Sequence, residues 1–326
     1  MSMPLRACLA LTGIKASALS VFRMAIDLTQ GNVARAVSLF EDWSKAGKQP
    51  MAFPTILSVL GLDQENRDLQ MAADLATEAG SHLSVLVVGL ASPPPIGSYA
   101  AIVSDPWMEE RQEDVNRLLR RVEEIKLLLK GADSAEVSSA YAEVVWADEV
   151  VGRHARYADL AIIGPDLLKG ELARPALNGA LFESARPVLV IPENSRPNLR
   201  PKTVLLAWDS RQEAARAARE ALEMMKTAGN VHVTLVDPDA APEANGAEPG
   251  ADIALYLARH GIKVKVDQLP STGRTVSAVL QRHALNIGAD MIVMGAYGHS
   301  RMRERIFGGV TRTMIEETKV PLFMAH

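Results

Sequence analysis

The chain has 326 residues and a formal net charge of −4, with 48% hydrophobic and 23% charged residues; this length favours two domains, and this composition excludes a wholly disordered chain. Such a charge gives no basic field that would attract nucleic acid or an acidic membrane, so a phosphate-bearing ligand needs a local site. The single cysteine, Cys8, excludes an internal disulfide framework, and the sequence predicts a cytoplasmic protein with no nucleic-acid or membrane partner.

Residues 1–50 form an N-terminal extension of uncertain role. An apolar run near the start imitates a signal peptide, but Lys15 interrupts it and no small-x-small cleavage site follows. The stretch NVARAVSLFEDWSKAGKQ has the apolar spacing of a short amphipathic helix. Three interpretations stay open for the residues in front of a domain that begins at Met51, which are a docking helix, a loosely packed extension and an overcalled start codon.

The first half of the remaining chain, residues 51–195, alternates short aliphatic runs with helical patterns. This alternation is typical of a parallel sheet that is covered by helices on both faces. The pattern predicts strands at 55–62, 82–90, 140–146, 158–164 and 186–192. Helices are predicted up to Gly80, from about 108 to 130 and over 147–157, with a loop between the last two strands.

The second half, residues 201–326, repeats this order more clearly. Strands are predicted at 202–209, 231–237, 262–269, 289–295 and 320–326, and helices at 210–229, 251–261, 275–288 and 309–318. We expect Ser210 to cap the first of these helices and Gly229 to end it. The sequences also match locally, since ADLAIIG in the first half corresponds to ADMIVMG in the second. The sequence therefore predicts a duplicated α/β domain, with 193–201 as the linker.

A glycine-rich stretch, GAYGHSRMRERIFGGVT, occupies residues 295–311 between the fourth predicted strand and the following helix. Ligands of open parallel sheets bind beyond the carboxyl ends of the strands, and the N–H groups at a helix start favour an anion. The Gly308–Gly309 pair weakens a helix start unless a ligand uses the exposed amides. The alternative is a loop that needs glycine only for its turns. Thr311 is placed either to contact a phosphate or to bond to the backbone.

The spacing Gly295-x2-Gly298-x9-Gly308, followed by a small residue and Val-Thr, resembles the nucleotide-binding motif of the universal stress protein family. The resemblance extends over 201–326 and, more weakly, over 51–195. It implies a fold of two tandem Rossmann-like domains, each an open, five-stranded, mostly parallel sheet with strand order 3-2-1-4-5. Residues 201–326 would be the nucleotide-binding domain and residues 51–195 a degenerate copy, because Pro165 and Leu167 stand where the loop chemistry would begin.

The resemblance implies an adenine nucleotide at the carboxyl edge of the second domain: ATP, or alternatively AMP or ADP, alone or with Mg²⁺. Asp209 would accept hydrogen bonds from the ribose or base, or else act as a helix-capping or turn residue. Two apolar residues at strand ends would flank the adenine, and the loop would wrap the ribose and phosphates. The implied site consists of Ala207, Asp209, Val236, Met294, Gly295, Gly298, Gly308, Gly309, Val310 and Thr311.

One departure concerns Gly309, because the family's usual motif has Ser or Thr there and a hydroxyl contact to phosphate is missing. Arg301, Arg303 and Arg305 either pair with phosphate oxygens instead or form a solvated charged face. In the first half, Lys169 and Arg174 leave open an unrelated anion site.

No catalytic constellation emerges from the sequence. The seven histidines show no metal-ligand spacing, and neither a GxSxG elbow nor a GxxxxGK[ST] loop is present. The leading hypothesis is a nucleotide-binding protein of stress response or signalling with an unknown protein partner. Its alternatives are a slow ATPase and a nucleotide-free dimerisation or scaffold protein. The apolar terminal strands of the two domains are expected to pair, which the resemblance implies would make an intramolecular pseudo-dimer, and a homodimer stays open.

Overall fold

A computed structural model describes residues 52–93, 100–132, 134–239, 248–297 and 309–326. Contacts divide the chain into Met1–Met51 and a compact unit of Ala52–His326, in which all described residues lie. The ten strands are β1 Thr55–Gly61, β2 His82–Ala91, β3 Ala135–Glu143, β4 Leu160–Ile163, β5 Val188–Val190, β6 Thr203–Ala207, β7 Asn230–Val236, β8 Val264–Leu269, β9 Met291–Gly295 and β10 Leu322–Ala325.

Helices connect these strands on both faces of the sheet. The α-helices among the described residues are α1 Arg67–Ala79, α2 Ala100–Leu128, α3 Ala147–Ala155, α4 Ala173–Asn178, α5 Gln212–Glu220, α6 Leu222–Thr227, α7 Ala251–Arg259, α8 Val276–Asn286 and α9 Gly309–Glu317. Within the part of the chain that the structure describes, no helix is both long and apolar enough to cross a membrane.

All ten strands belong to one sheet, in the order β3-β2-β1-β4-β5-β10-β9-β6-β7-β8. Each half has the order 3-2-1-4-5 when its own strands are counted, so the predicted α/β class with mostly parallel sheets is confirmed. The sheet as a whole differs from two separate sheets because β5 and β10 pair antiparallel, with Phe323 opposite Leu189. Every other strand pair is parallel.

The core lies in two layers, one on each face of the sheet. Alternate side chains of β1 illustrate this, since Ile56 and Leu60 belong to one buried cluster and Leu57 and Val59 to the other. The first cluster includes residues of α1, α2, α5, α6 and α7, and the second includes residues of α3, α4, α8 and α9. Because both clusters extend through both halves, burial of apolar surface stabilises the halves as one body.

Four predicted elements differ from the structure. The helix predicted from about 108 to 130 is α2, which begins at Ala100 and continues through Pro106 to Leu128. The third strand, predicted at 140–146, is β3 at Ala135–Glu143, followed by a 3-10 turn at Val144–Trp146. This edge strand carries small and polar residues, whereas the apolar run that attracted the prediction is exposed, with Trp146 61% accessible. The predicted loop between β4 and β5 instead contains a 3-10 turn at Leu167–Lys169, helix α4 and a π-helical turn at Gly179–Glu183.

The predicted helix 210–229 consists of two helices, α5 and α6, that meet at Ala221. Ser210 does not cap α5, because the helix begins at Gln212 and the capping position is Arg211 in an extended conformation. Ser210 itself has a positive φ of 61°. Gly229 lies beyond the end of α6 and donates its N–H to the carbonyl of Lys202 at 2.8 Å.

Candidate functional site

The carboxyl ends of β7, β6 and β9 lie side by side in the second half. Ala207 at the end of β6 pairs with Thr234 of β7, and Leu206 pairs with Val293 of β9. Three residues assigned to the site by sequence, namely Ala207, Val236 and Met294, belong to or pack against the core cluster that contains α8 and α9. Open parallel sheets bind ligands at this carboxyl edge, and here the surface of the edge is apolar.

Asp209 follows β6 and projects from this edge. One carboxylate oxygen accepts the backbone N–H of Arg211 at 3.1 Å, and the other lies 3.8 Å from Nε of Arg211. The side chain is nevertheless 57% accessible. Asp209 thus has the role of a turn residue that leads into α5, and its exposed carboxylate remains open to a ligand.

Gly295, the last residue of β9, lies against the start of α5. A Cβ at this position would come within 2.6 Å of the backbone nitrogen of Ala214 and of the carbonyl carbon of Glu213. Real side chains do not tolerate such distances to backbone atoms, so strand and helix approach this closely only because residue 295 is glycine. The predicted ligand contact of Gly295 stays a prediction, and the structure shows in addition that this glycine has a packing role.

Thr311 connects α9 to the end of β9. Its side chain is buried, and its hydroxyl oxygen accepts the backbone N–H of Tyr297 at 3.3 Å. Of the two roles predicted for Thr311, the structure therefore shows the bond to the backbone. Tyr297 has a φ of 64°, and burial raises the pKa of its phenol.

A residue from the first half of the chain packs against the residues that follow β9 and β10. The ring of Phe182, in the π-helical turn, lies 5.0 Å from the ring of Tyr297 and 4.6 Å from that of His326. His326 Nδ1 lies 2.9 Å from the carbonyl oxygen of Ala296, just beyond β9. Sequence reasoning missed these aromatic contacts because they join residues from different halves.

The described residues leave the start of α9 open. Among them, no heavy atom lies within 4 Å of a Cβ placed at Gly309, and Val310 is 37% accessible. Gly298 and Gly308 lie outside the described residues, as do His299 and the three arginines of the loop. Within the part of the chain that the structure describes, the first N–H groups of α9 have no carbonyl partner in the helix itself and offer an anion-binding position at this edge.

The corresponding edge of the first half carries an internal anion. Asp68, in the first turn of α1, accepts the backbone N–H groups of Asp166 at 3.2 Å and Leu167 at 2.8 Å, just after β4. Burial raises the pKa of Asp68, while these two hydrogen bonds act in the opposite direction. Gly164 at the end of β4 accommodates the carboxylate, because a Cβ there would lie 2.2 Å from it.

A cavity of about 460 Å³ lies beside this edge of the first half. Its lining includes four carboxylates and one guanidinium, those of Asp63, Asp114, Asp166, Glu171 and Arg117. Arg117 pairs with Asp63 and with Asp114. Lys169, considered above for an anion site, pairs instead with Glu193. A lining with this excess of negative charge disfavours a phosphate-bearing ligand.

The two halves of the sheet have the same strand order. In each half, a glycine at or directly after the end of the fourth strand allows close contact with the first helix. These features define a doubly wound α/β protein that is built from a repeated unit. The family model for the universal stress protein family matches residues 201–326. Residues 201–326 therefore belong to the universal stress protein family, as the resemblance of the glycine motif indicated.

Solved structures resemble the whole tandem arrangement. A universal stress protein from Archaeoglobus fulgidus is 19% identical with a TM-score of 0.54, over 84% of this chain and 96% of that chain. A putative universal stress protein from Pseudomonas aeruginosa is 18% identical with a TM-score of 0.51, over 84% of this chain and 93% of that chain. At these identities the likeness shows the fold of the tandem unit. No curated protein sequence matches the chain.

Proposed function

We propose that the second half binds an adenine nucleotide, with ATP as the first candidate and AMP or ADP as related ones, and that binding serves stress response or signalling in the cytoplasm. The observation that carries the proposal is an exposed carboxylate and an open helix start at the carboxyl edge of the very domain that the family model matches. Asp209 would bind the ribose or base, and Val236 and Met294 would flank the adenine. Gly309, Val310 and the remaining loop glycines would hold the phosphates, with Mg²⁺ as counter-ion.

The charges of the two halves support this assignment. In the first half the N–H groups after β4 already bind the Asp68 carboxylate, and the neighbouring cavity is lined by acidic side chains. At the second edge, the described residues leave the space in front of Gly309 free, at a helix start that favours an anion. An anionic ligand is therefore favoured in the second half only, with a stoichiometry of one nucleotide per chain.

Replacing Asp209 with alanine is expected to weaken ATP binding by roughly 10- to 100-fold, since a hydrogen bond to a charged group contributes about 1.5–3 kcal/mol. Isothermal titration calorimetry of the full chain with ATP measures the change. Glu223→Ala is the matched control, because Glu223 is an equally exposed carboxylate on α6 that pairs only with Lys226 among the contacts described. Equal affinities of the two variants would contradict the role of Asp209.

Replacing Gly309 with serine is expected to strengthen ATP binding by about fivefold, because the hydroxyl restores a phosphate contact worth roughly 1 kcal/mol. The substitution fits, since a Cβ at residue 309 meets open space and Gly309 is not among the glycines of positive φ. Gly309→Ala is the control, because it adds the Cβ without the hydroxyl. If both variants bind like the wild type, the start of α9 does not contact the phosphates.

Mass spectrometry of ligand that co-purifies with the chain identifies which nucleotide is bound. Calorimetry that detects no binding at millimolar ATP, ADP and AMP would overturn the proposal. The joined sheet through β5 and β10 would then favour a nucleotide-free scaffold. Turnover of bound ATP that is lost in Asp209→Ala would instead establish the slow ATPase.

A further inference from the structure

Three ionisable side chains of the second half converge on one point, away from the residues assigned to the nucleotide. His232 lies on β7, Asp267 on the edge strand β8 and His283 on α8. Nδ1 of His232 is 2.6 Å and Nε2 of His283 is 2.9 Å from the same carboxylate oxygen of Asp267. All three side chains are largely buried, with 14%, 9% and 15% accessibility in chain order.

The fold explains why these side chains meet. Thr234 pairs with Asp267 across β7 and β8, and His232 pairs with Lys265. Because side chains alternate along a strand, His232 and Asp267 project from the same face of the sheet. Helix α8 packs on this face, where its Leu280 and Ala284 belong to the buried cluster. The side chain of His283 on α8 therefore meets the two strand side chains on this face of the sheet.

The geometry is close to that of a metal site. One ligand atom from each residue lies within 4.8 Å of the other two. Zinc binds imidazole nitrogen and carboxylate oxygen at about 2.0–2.2 Å, which places neighbouring ligands of a tetrahedral ion about 3.3 Å apart. Rotations that open the two nitrogen–oxygen distances by about 0.5 Å would therefore admit an ion in place of the two shared protons.

The Asp267 carboxylate is the negatively charged group of this cluster, and Lys265 is its third partner beside the two histidines. Nζ of Lys265 lies 3.1 Å from the second carboxylate oxygen, and its side chain is 68% accessible. Because Lys265 extends into solvent, it is able to move away when a divalent ion takes over the charge of the carboxylate.

We propose that His232, Asp267 and His283 bind one divalent transition-metal ion, with zinc as the ion that this ligand set favours. Two imidazoles exclude Mg²⁺ and Ca²⁺ as preferred occupants, since those ions take oxygen ligands. Three protein ligands leave the fourth position to water or to a group from a partner. The ion ties the edge strand β8 to β7 and α8, so its binding stabilises the sheet edge by linkage.

Zinc titration of the full-length chain, free of affinity-tag histidines and previously treated with chelator, tests this proposal. We expect one equivalent of zinc, a rise in the unfolding temperature and, with Co²⁺ as probe, the visible absorption of a four-coordinate ion. Mg²⁺ is expected to produce none of these. His283→Ala is expected to lower zinc affinity at least tenfold. His260→Ala, at an exposed histidine that directly follows α7 and contacts Tyr256, is expected to leave it unchanged.

A second variant, His232→Gln, keeps a hydrogen bond to Asp267 but removes an imidazole, so it separates loss of the ligand from loss of the fold. Circular dichroism verifies that each variant is folded. The proposal is overturned if the wild type binds no zinc, or if both variants bind it as tightly as the wild type. In that case the cluster is a hydrogen-bonded His–Asp–His network that acts without a metal.

Discussion

Replacing Gly295 with alanine is expected to lower the free energy of unfolding by about 3 kcal/mol, near the upper end of the usual cost of overpacking. The added Cβ would lie 2.6 Å from backbone atoms of Glu213 and Ala214, which cannot rotate away as a side chain does. Either β9 or α5 must therefore move. Strand β9 lies in the middle of the ten-stranded sheet, and α5 packs on one face of that sheet. Urea denaturation followed by circular dichroism measures the loss.

Gly309→Ala is the matched control for this prediction, because a Cβ at residue 309 has open space and a helical alanine stabilises relative to glycine. Its free energy of unfolding is expected to stay unchanged or to rise by up to about 1 kcal/mol. Comparable stability of Gly295→Ala and wild type would mean that the close contact between β9 and α5 is not a feature of the folded protein.

Replacing Asp68 with alanine is expected to cost about 3 kcal/mol of stability. Only 3% of the surface of Asp68 is exposed, and its carboxylate accepts hydrogen bonds from the backbone N–H groups of Asp166 and Leu167. Its removal leaves two backbone donors without these acceptors, at about 1–3 kcal/mol each, partly offset because a buried charge is also removed. Thermal and urea unfolding of the full chain measure the change.

Asp74→Ala on the same helix is the control, because Asp74 is exposed and accepts only a side-chain bond from Gln70 among the contacts described. Its effect is expected to stay within about 0.5 kcal/mol. Asp68→Asn retains one oxygen acceptor and should fall between the two. If Asp68→Ala were as stable as Asp74→Ala, the loop after β4 would not depend on an internal anion.

The two glycine-to-helix contacts reveal the duplication in three dimensions. Gly164 directly follows β4 and packs against Asp68, the second residue of α1, and Gly295 ends β9 against Glu213, the second residue of α5. The sequence alone showed that both fourth strands end in glycine. It did not show why, because the helix residue that each glycine contacts is far away in the chain.

The partners of the site residues are likewise not visible in the sequence. Asp209 and Thr311 were identified from their places next to strand and helix ends, but their hydrogen-bond partners, Arg211 and Tyr297, appear only in the folded chain. The histidine cluster escaped notice because its members are separated by 35 and 16 residues and follow no spacing motif. The edge strand β3 was placed too late because small and polar residues conceal its period.

The sequence by itself determined the α/β class, the repetition of the unit and the family of residues 201–326, because hydrophobic periodicity and a local glycine motif are written in consecutive residues. Only the tertiary structure decided that the expected pairing of the terminal strands is antiparallel and joins β5 to β10 in one sheet, that Asp68 supplies an anion to the first half, and that His232, Asp267 and His283 meet. Each of these depends on contacts between distant segments, whose geometry follows from strand register and helix packing rather than from local pattern.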